Sequence, residues 1–178
     1  MDHKYRQQID RLNHKLNNLS NQLDVVEEEI LKKRPKADKW SIIEILQHLV
    51  IAESLSVRYI SKKTMDISKL EAVSMKSKWR EFKLRNYLRL PIPVPAPKAV
   101  QPKVEMNLDY QETIKKYRET RKAAEELLTK LDTSVWNMQV QKHPLVGRIS
   151  LQGTLDFFEL HFDRHKKQID EILKQSVF

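Results

Sequence analysis

Four stretches of this chain place apolar residues at alternating intervals of three and four, the spacing that turns one face of a helix toward a core. The first runs through Ile9, Leu12, Leu16, Leu19, Leu23, Val26 and Ile30 as one continuous stripe. It stops at the Lys32-Lys33-Arg34-Pro35 run. His14 lies two residues from Leu12 and points away from the stripe. Only two glycines occur, Gly147 and Gly153, and strand-like alternation is hard to find. The pattern predicts an all-α protein, a four-helix bundle with one long Pro-rich crossover between its second and third helices.

The second helix has a complete start signal. Ser41 followed by Glu44 forms a capping box, in which each side chain satisfies a free backbone N–H near the other. Trp40 and Ile45 stand at the staple positions around it, and Ile45, Leu49, Ala52 and Ser56 then run along one face toward Tyr59. His48 lies within that face. The third helix starts at Asp109 with Glu112 in a similar box, and Tyr110, Ile114, Tyr117, Ala124, Leu128 and Leu131 point inward. Arg121 falls on the same stripe. The expectation is a packed stem whose head reaches water, in preference to a substrate contact. The fourth helix, near Ser150 to Gln175, carries Leu155, Phe158, Phe162, Ile169 and Ile172. Together these predict one domain over residues 1–178, with helices at about 4–31, 41–60, 109–131 and 150–175.

Between them, residues 61–108 break the periodicity. A short amphipathic piece around Trp79, Phe82 and Tyr87 precedes Leu90-Pro91-Ile92-Pro93-Val94-Pro95-Ala96-Pro97. Alternating prolines forbid a helix and favour an extended polyproline path that can run the length of a bundle. A loop holding Trp136, His143, Pro144 and Gly147 precedes the last helix.

Composition excludes several classes. With no cysteine, the chain has no disulfide scaffold, no thiolate metal site and no cysteine nucleophile of its own. Met1-Asp2-His3-Lys4 leads into polar sequence without an apolar leader, and no run approaches the roughly eighteen apolar residues of a membrane span. The expectation is a soluble cytoplasmic protein without a membrane partner. Of the net charge of +9, most lies in residues 61–108, with 11 Lys and Arg against 4 Asp and Glu. Such a connector could meet an anionic small molecule, an acidic partner or RNA, and more often is simply solvated.

His161 and His165 are four residues apart, so they project from one helical face about 6 Å apart along its axis. With His48 from a facing helix they could form a facial triad around zinc, nickel or iron, leaving a coordination position open. The interval alone is a weak signal, because inward histidines are usually hydrogen-bonded core residues. Neither HExxH nor a Glu-x-x-His pair is present, which disfavours a zincin protease and a carboxylate-bridged iron pair.

The stretch Lys39-Trp40-Ser41-Ile42-Ile43-Glu44-Ile45-Leu46-Gln47-His48-Leu49 resembles the W-S-x-x-E-x-x-x-H-L segment of the DinB/YfiT-like superfamily. His143-Pro144-Leu145-Val146-Gly147, leading into the helix from Thr154 to Ile169 with its H-x-x-x-H, resembles the closing segment of that family. Lys98-Ala99-Val100-Gln101-Pro102 is similar to a stretch in one of its branches. The resemblance implies a four-helix bundle of unusual helix order, often a homodimer, with a divalent metal held by His48, His161 and His165. His3, His14 and His143 are expected to be surface or loop residues without a catalytic role. Glu44 is a capping residue first, with support of His48 left open.

The resemblance favours a metal-dependent transferase that activates a low-molecular-weight thiol. Lys and Arg residues of 61–108 would hold the carboxylates of that cosubstrate if the crossover folds over the site. The alternatives are a metal-dependent hydrolase using metal-bound hydroxide, and a metal-free binding protein whose basic connector meets an anionic partner. The metal-free protein is expected to stay folded on its apolar stripes. The connector has modest charge, interrupting prolines and no recognition-helix pattern, so nucleic-acid binding should be weak and non-specific. Fluorescence titration with labelled DNA and RNA at physiological salt checks this, and sub-micromolar sequence-selective binding would contradict it.

Overall fold

The computed structural model describes residues 3–90, 92, 95–102 and 109–176. Four long helices form the bundle: α1 (His3–Leu23), α3 (Ile42–Lys63), α5 (Tyr110–Lys130) and α6 (Leu151–Ser176). Two shorter helices, α2 (Glu28–Lys32) and α4 (Met75–Arg89), flank them, with a hairpin of β1 (Gln139–His143) and β2 (Gly147–Ser150). Polar pairs between helices reveal the directions. Gln8 Nε2 donates to Asp156 at 3.1 Å, Lys15 Nζ to Asp163 at 2.7 Å and Gln22 Nε2 to Asp170 at 3.3 Å, each across the same 148-residue separation. A constant separation means that α1 and α6 run parallel. On the opposite side Glu53 meets Arg121 while Ser54 meets Thr120, so α3 and α5 run antiparallel.

The first stripe does not make one helix. The chain turns after Leu23, with Val26 N–H donating to the Leu23 carbonyl, and resumes as α2. The Tyr110 hydroxyl stands at this turn, 3.0 Å from the Ser20 carbonyl and 2.8 Å from the Asp24 carboxylate. Leu23 and Leu31 are both buried in the same cluster, so the turn keeps the stripe on the core while Val25 faces out.

Within the crossover, the amphipathic piece is the 15-residue helix α4, opened by a Ser74–Ser77 capping box. It buries Leu84 and leaves Trp79 and Phe82 exposed and stacked on each other. Glu81 accepts from Ser150 N–H at 2.7 Å, so α4 caps the start of α6. Gly153 makes that approach possible, since a Cβ there would lie 2.6 Å from the Glu81 carboxyl carbon. Of the alternating prolines, Pro91 and Pro93 lie outside the described residues, as do residues 103–108. Pro95–Pro102 are described and include a 3₁₀ turn at Lys98–Val100.

Where a loop was expected before the last helix, the chain forms the β1–β2 hairpin. Gly147 closes its turn at φ +85°, a conformation that side chains rarely adopt. A bulge between Gln139 and Gln141 disturbs the register, and Gln139 N–H donates to the Glu71 carbonyl, joining the crossover to the hairpin edge.

The head of Arg121 does not reach water. Arg121 and Glu53 are 2% and 1% exposed, and Arg121 Nε lies 2.8 Å from Glu53 Oε2. The Tyr117 hydroxyl donates to Glu53 Oε1 at 2.7 Å, and the guanidinium lies over the Tyr117 and Phe162 rings. Burial pushes the Glu53 carboxyl up from its ordinary value, while Arg121 and the Tyr117 hydroxyl pull it down. Arg121 faces both oxygens of the carboxylate, Nη2 at 2.9 Å from Oε1 and Nε at 2.8 Å from Oε2, the geometry of a buried ion pair. Glu53→Ala should cost about 3–5 kcal/mol in urea unfolding, because it strands a buried guanidinium. Glu53→Leu combined with Arg121→Met should recover most of that loss. A single-variant loss below about 1 kcal/mol, as for an exposed pair, would refute the burial energetics.

Candidate metal centre

The capping box at Ser41 sets where α3 begins: Ser41 Oγ accepts from Glu44 N–H, and Glu44 accepts from Ser41 N–H at 2.8 Å. His48 follows one turn later and is buried. His161 and His165 are buried on successive turns of α6. The structure brings the three rings together: His161 Nε2 lies 3.1 Å from His48 Nε2 and 3.1 Å from His165 Nε2. Imidazole nitrogens sharing a cation at about 2.0–2.1 Å stand about 2.8–3.4 Å apart, from octahedral to tetrahedral angles. These two spacings suit a common ion, and the three ligand atoms all lie within 4.8 Å of one another.

Hydrogen bonds behind the rings fix where the protons sit. His48 Nδ1 donates to the Val100 carbonyl at 2.7 Å, and His165 Nδ1 donates to Gln168 Oε1 at 2.8 Å. Both Nε2 atoms are therefore lone pairs, and both face His161 Nε2. His161 Nδ1 is buried without a hydrogen bond among the described residues. With its proton on Nε2, His161 could satisfy only one of its two neighbours. With its proton on Nδ1, three lone pairs would converge in a buried space. A cation at their centre removes the conflict with the His161 proton on Nδ1, and imidazoles backed by carbonyl oxygens are the usual form of metal-ligating histidine.

The electrostatics agree. Burial lowers the His48 value, with partial relief from the Val100 carbonyl. Burial, then the charges of His165 and His48, hold His161 well below the ordinary imidazole range, and burial pushes His165 down to about 3. All three are neutral at physiological pH, the form that coordinates a metal.

The triad forms part of the wall of a cavity of about 960 Å³. The Trp40 ring packs on His48 at 4.9 Å between centroids, and Phe157 stacks on His161 at 4.9 Å. The crossover supplies another wall through Pro95–Pro97 and Ala99–Gln101. Arg164 pins the start of that segment by donating to the carbonyls of Leu90, at 2.6 Å, and Ile92. Among the described residues, none of the crossover's lysines or arginines lines the cavity. Its cationic wall residues are Lys36, Lys39, Lys142 and Arg164, from elsewhere in the chain.

His143 departs from its expected place. It is 5% exposed, lines the same cavity and meets Phe157 edge-on at 4.7 Å. Burial lowers it to about 4. Only the hairpin puts it there, and the sequence signal was the His143–Gly147 turn motif. Glu44 is held by Ser41 and Arg34, and no described hydrogen bond joins it to His48. His3 and His14 are exposed on α1, apart from the cavity.

A helical bundle with three converging histidines at one cavity wall defines a class, that of candidate mononuclear metal proteins. The sequence matches the DinB superfamily over residues 5–169, and the chain belongs to that superfamily. No curated protein sequence matches it significantly. Among solved structures, YfiT from Bacillus subtilis is similar at 16% identity with a TM-score of 0.61, over all of this chain and 91% of that one. That protein is described as a probable metal-dependent hydrolase with an unusual four-helix bundle topology. At this identity the similarity establishes the fold. Among the described residues, no helix is long and apolar enough to cross a membrane.

The neutral imidazoles predict the pH dependence of stability. A free histidine protonates near about 6.5, whereas His48, His143, His161 and His165 resist protonation in the fold. The unfolded chain therefore takes up protons first as pH falls. The stability these groups lend is complete above about pH 7 and is lost as pH falls through and below 6.5. The urea midpoint of chelator-treated protein should be lower at pH 5.5 than at pH 7.5. Equal midpoints would mean that the four rings protonate as readily folded as unfolded.

Proposed function

We propose that this protein is a metal-dependent hydrolase whose divalent ion is held by His48, His161 and His165. The observation that carries the proposal is the convergence of three buried, neutral imidazoles with two tautomers fixed from behind and the third left unsatisfied. Membership of the superfamily and the description of the similar YfiT structure support it. Three nitrogen donors suit zinc, nickel or ferrous iron. When bound, such an ion supplies Lewis-acid activation of water and of a substrate oxygen.

The chain's own residues do the rest. Val100 and Gln168 hold two rings in the orientation that presents Nε2. Trp40 and Phe157 cover the flanks of the triad and keep bulk water from the imidazoles. Lys36, Lys39, Lys142 and Arg164, against Asp38 and Glu171, give the cavity wall a positive bias that favours a substrate with anionic character. The thiol-transferase alternative rests on the family resemblance alone, since no described wall residue selects for a thiol.

Elemental analysis combined with a panel of ester, amide and phosphoester substrates tests the proposal. The expected result is about one divalent transition metal per chain, with hydrolysis at least 100-fold slower in His48→Ala. Full occupancy in the His161→Ala/His165→Ala variant would remove the triad as the metal site. Metal-dependent conjugation of a small thiol to an electrophile, without hydrolysis, would move the protein to the transferase class.

A further inference from the structure

Helix α4 carries more cationic charge than its contacts use. Six of its fifteen residues are Lys or Arg, and its one acid, Glu81, turns inward to accept from Ser150 N–H. At 3.6 residues per turn the helix divides into two faces. Ser77 and Leu84 are buried on the inner one. Met75, Trp79, Phe82 and Asn86, at intervals of four, three and four, form a single exposed stripe on the outer one. Lys76 and Lys83 border this stripe on one side, Lys78 and Arg89 on the other, and all four are exposed. Arg85 pairs with Asp156, whereas none of these four meets a carboxylate among the described residues.

The apolar centre of the outer face is large. Met75, Trp79 and Phe82 are 80%, 57% and 49% exposed, and Leu90 and Ile92 at the end of the helix are 47% and 48% exposed. Single exposed apolar side chains are ordinary, but a contiguous set rimmed by polar groups marks a contact surface. With cations on both borders and no acid on the stripe, the complementary surface is anionic. Phosphates of a nucleic acid would suit the lysines but offer the apolar stripe nothing. A stacking base needs an open ring face, and Phe82 already stacks on Trp79 at 5.4 Å while Lys83 Nζ stands over the same ring at 5.4 Å.

We propose that the outer face of α4 docks on an anionic phospholipid surface. Met75, Trp79 and Phe82 enter the boundary between headgroups and acyl chains, and Lys76, Lys78, Lys83 and Arg89 meet the phosphates. Cations flanking Trp and Phe are what a helix lying in the plane of that boundary requires. No described helix is long and apolar enough to cross a membrane, so the contact is confined to the surface. The other side of α4 lends Tyr87 and Leu88 to the cavity wall, which places the cavity about one helix diameter, roughly 10 Å, from the docked lipid. The docking goes beyond the hydrolase assignment and does not rest on it.

Co-sedimentation of the full chain with phosphatidylcholine vesicles, with and without about one-third phosphatidylglycerol, tests this at physiological salt. The anionic vesicles should bind about tenfold or more tightly, since each cation near such a surface contributes roughly fivefold. Trp79→Ser/Phe82→Ser should weaken that binding about tenfold. Lys76→Glu/Lys83→Glu should weaken it about tenfold or more, and Lys115→Glu/Lys122→Glu, the same change on exposed residues of α5, less than about threefold. Failure of the wild-type protein to prefer anionic vesicles overturns the proposal, whether or not any variant folds. Equal weakening by the α4 and α5 reversals also overturns it, because net charge alone would then attract the protein. So does unchanged binding by a folded Trp79→Ser/Phe82→Ser protein. Single-stranded RNA or polyglutamate bound as tightly as the anionic vesicles would assign the face to a soluble polyanion instead.

Discussion

The hydrogen bond from His48 Nδ1 to the Val100 carbonyl ties the crossover to the bundle and determines what the imidazole can do. With its proton committed behind the ring, His48 can offer only a lone pair toward α6. The same bond holds Val100 in place, and with it the segment that walls the cavity on one side. Arg164 reinforces this from α6 by donating to carbonyls at the end of α4 and just beyond it. Those carbonyls have no helical partner, so a guanidinium that can reach several of them joins two elements through one side chain.

Two of the interior polar clusters among the described residues differ in charge, and that separates their roles. Glu53 and Arg121 face each other as an ion pair with the Tyr117 hydroxyl on the carboxylate, and the pair joins α3 to α5, although Glu53 Oε2, Arg121 Nε and Arg121 Nη1 make no hydrogen bond among the described residues. The histidine cluster holds no opposite charge. His161 has an unpaired nitrogen and faces two acceptors, an arrangement that is unfavourable without a positive charge among them. An acid and a base buried together hold two helices to each other, whereas imidazole lone pairs buried together mark a place for a cation.

The bundle positions the metal centre through α6. Phe158, Phe162 and Ile169 on this helix close the core while His161 and His165 share its inner side. The parallel pairing with α1, repeated through Asp156, Asp163 and Asp170, locks the rotation of α6 about its axis. Glu81, accepting at Ser150, fixes where that helix starts. A shift of one residue would turn both imidazoles away from His48 by about 100°.

Local regularities were legible in the amino-acid sequence because they depend on neighbours a few residues apart. Apolar spacing placed the bundle helices, Ser41 and Glu44 marked the start of α3, and a four-residue interval put His161 and His165 on one face. The missing cysteines limited any metal site to nitrogen and oxygen donors. Spacing alone did not join His48 to them across 113 residues; the family resemblance did. Other features depend on which face meets which, and that is decided only when the chain packs. The hairpin is four and five residues long, too short for alternation to show, so His143 and Gln141 could not be assigned to the cavity. The stripe position of Arg121 suited a head in water equally well until Glu53, 68 residues away, arrived beside it. A polar residue on an inward face has no defined role until its partner is known, and for these residues tertiary structure alone supplies the partner.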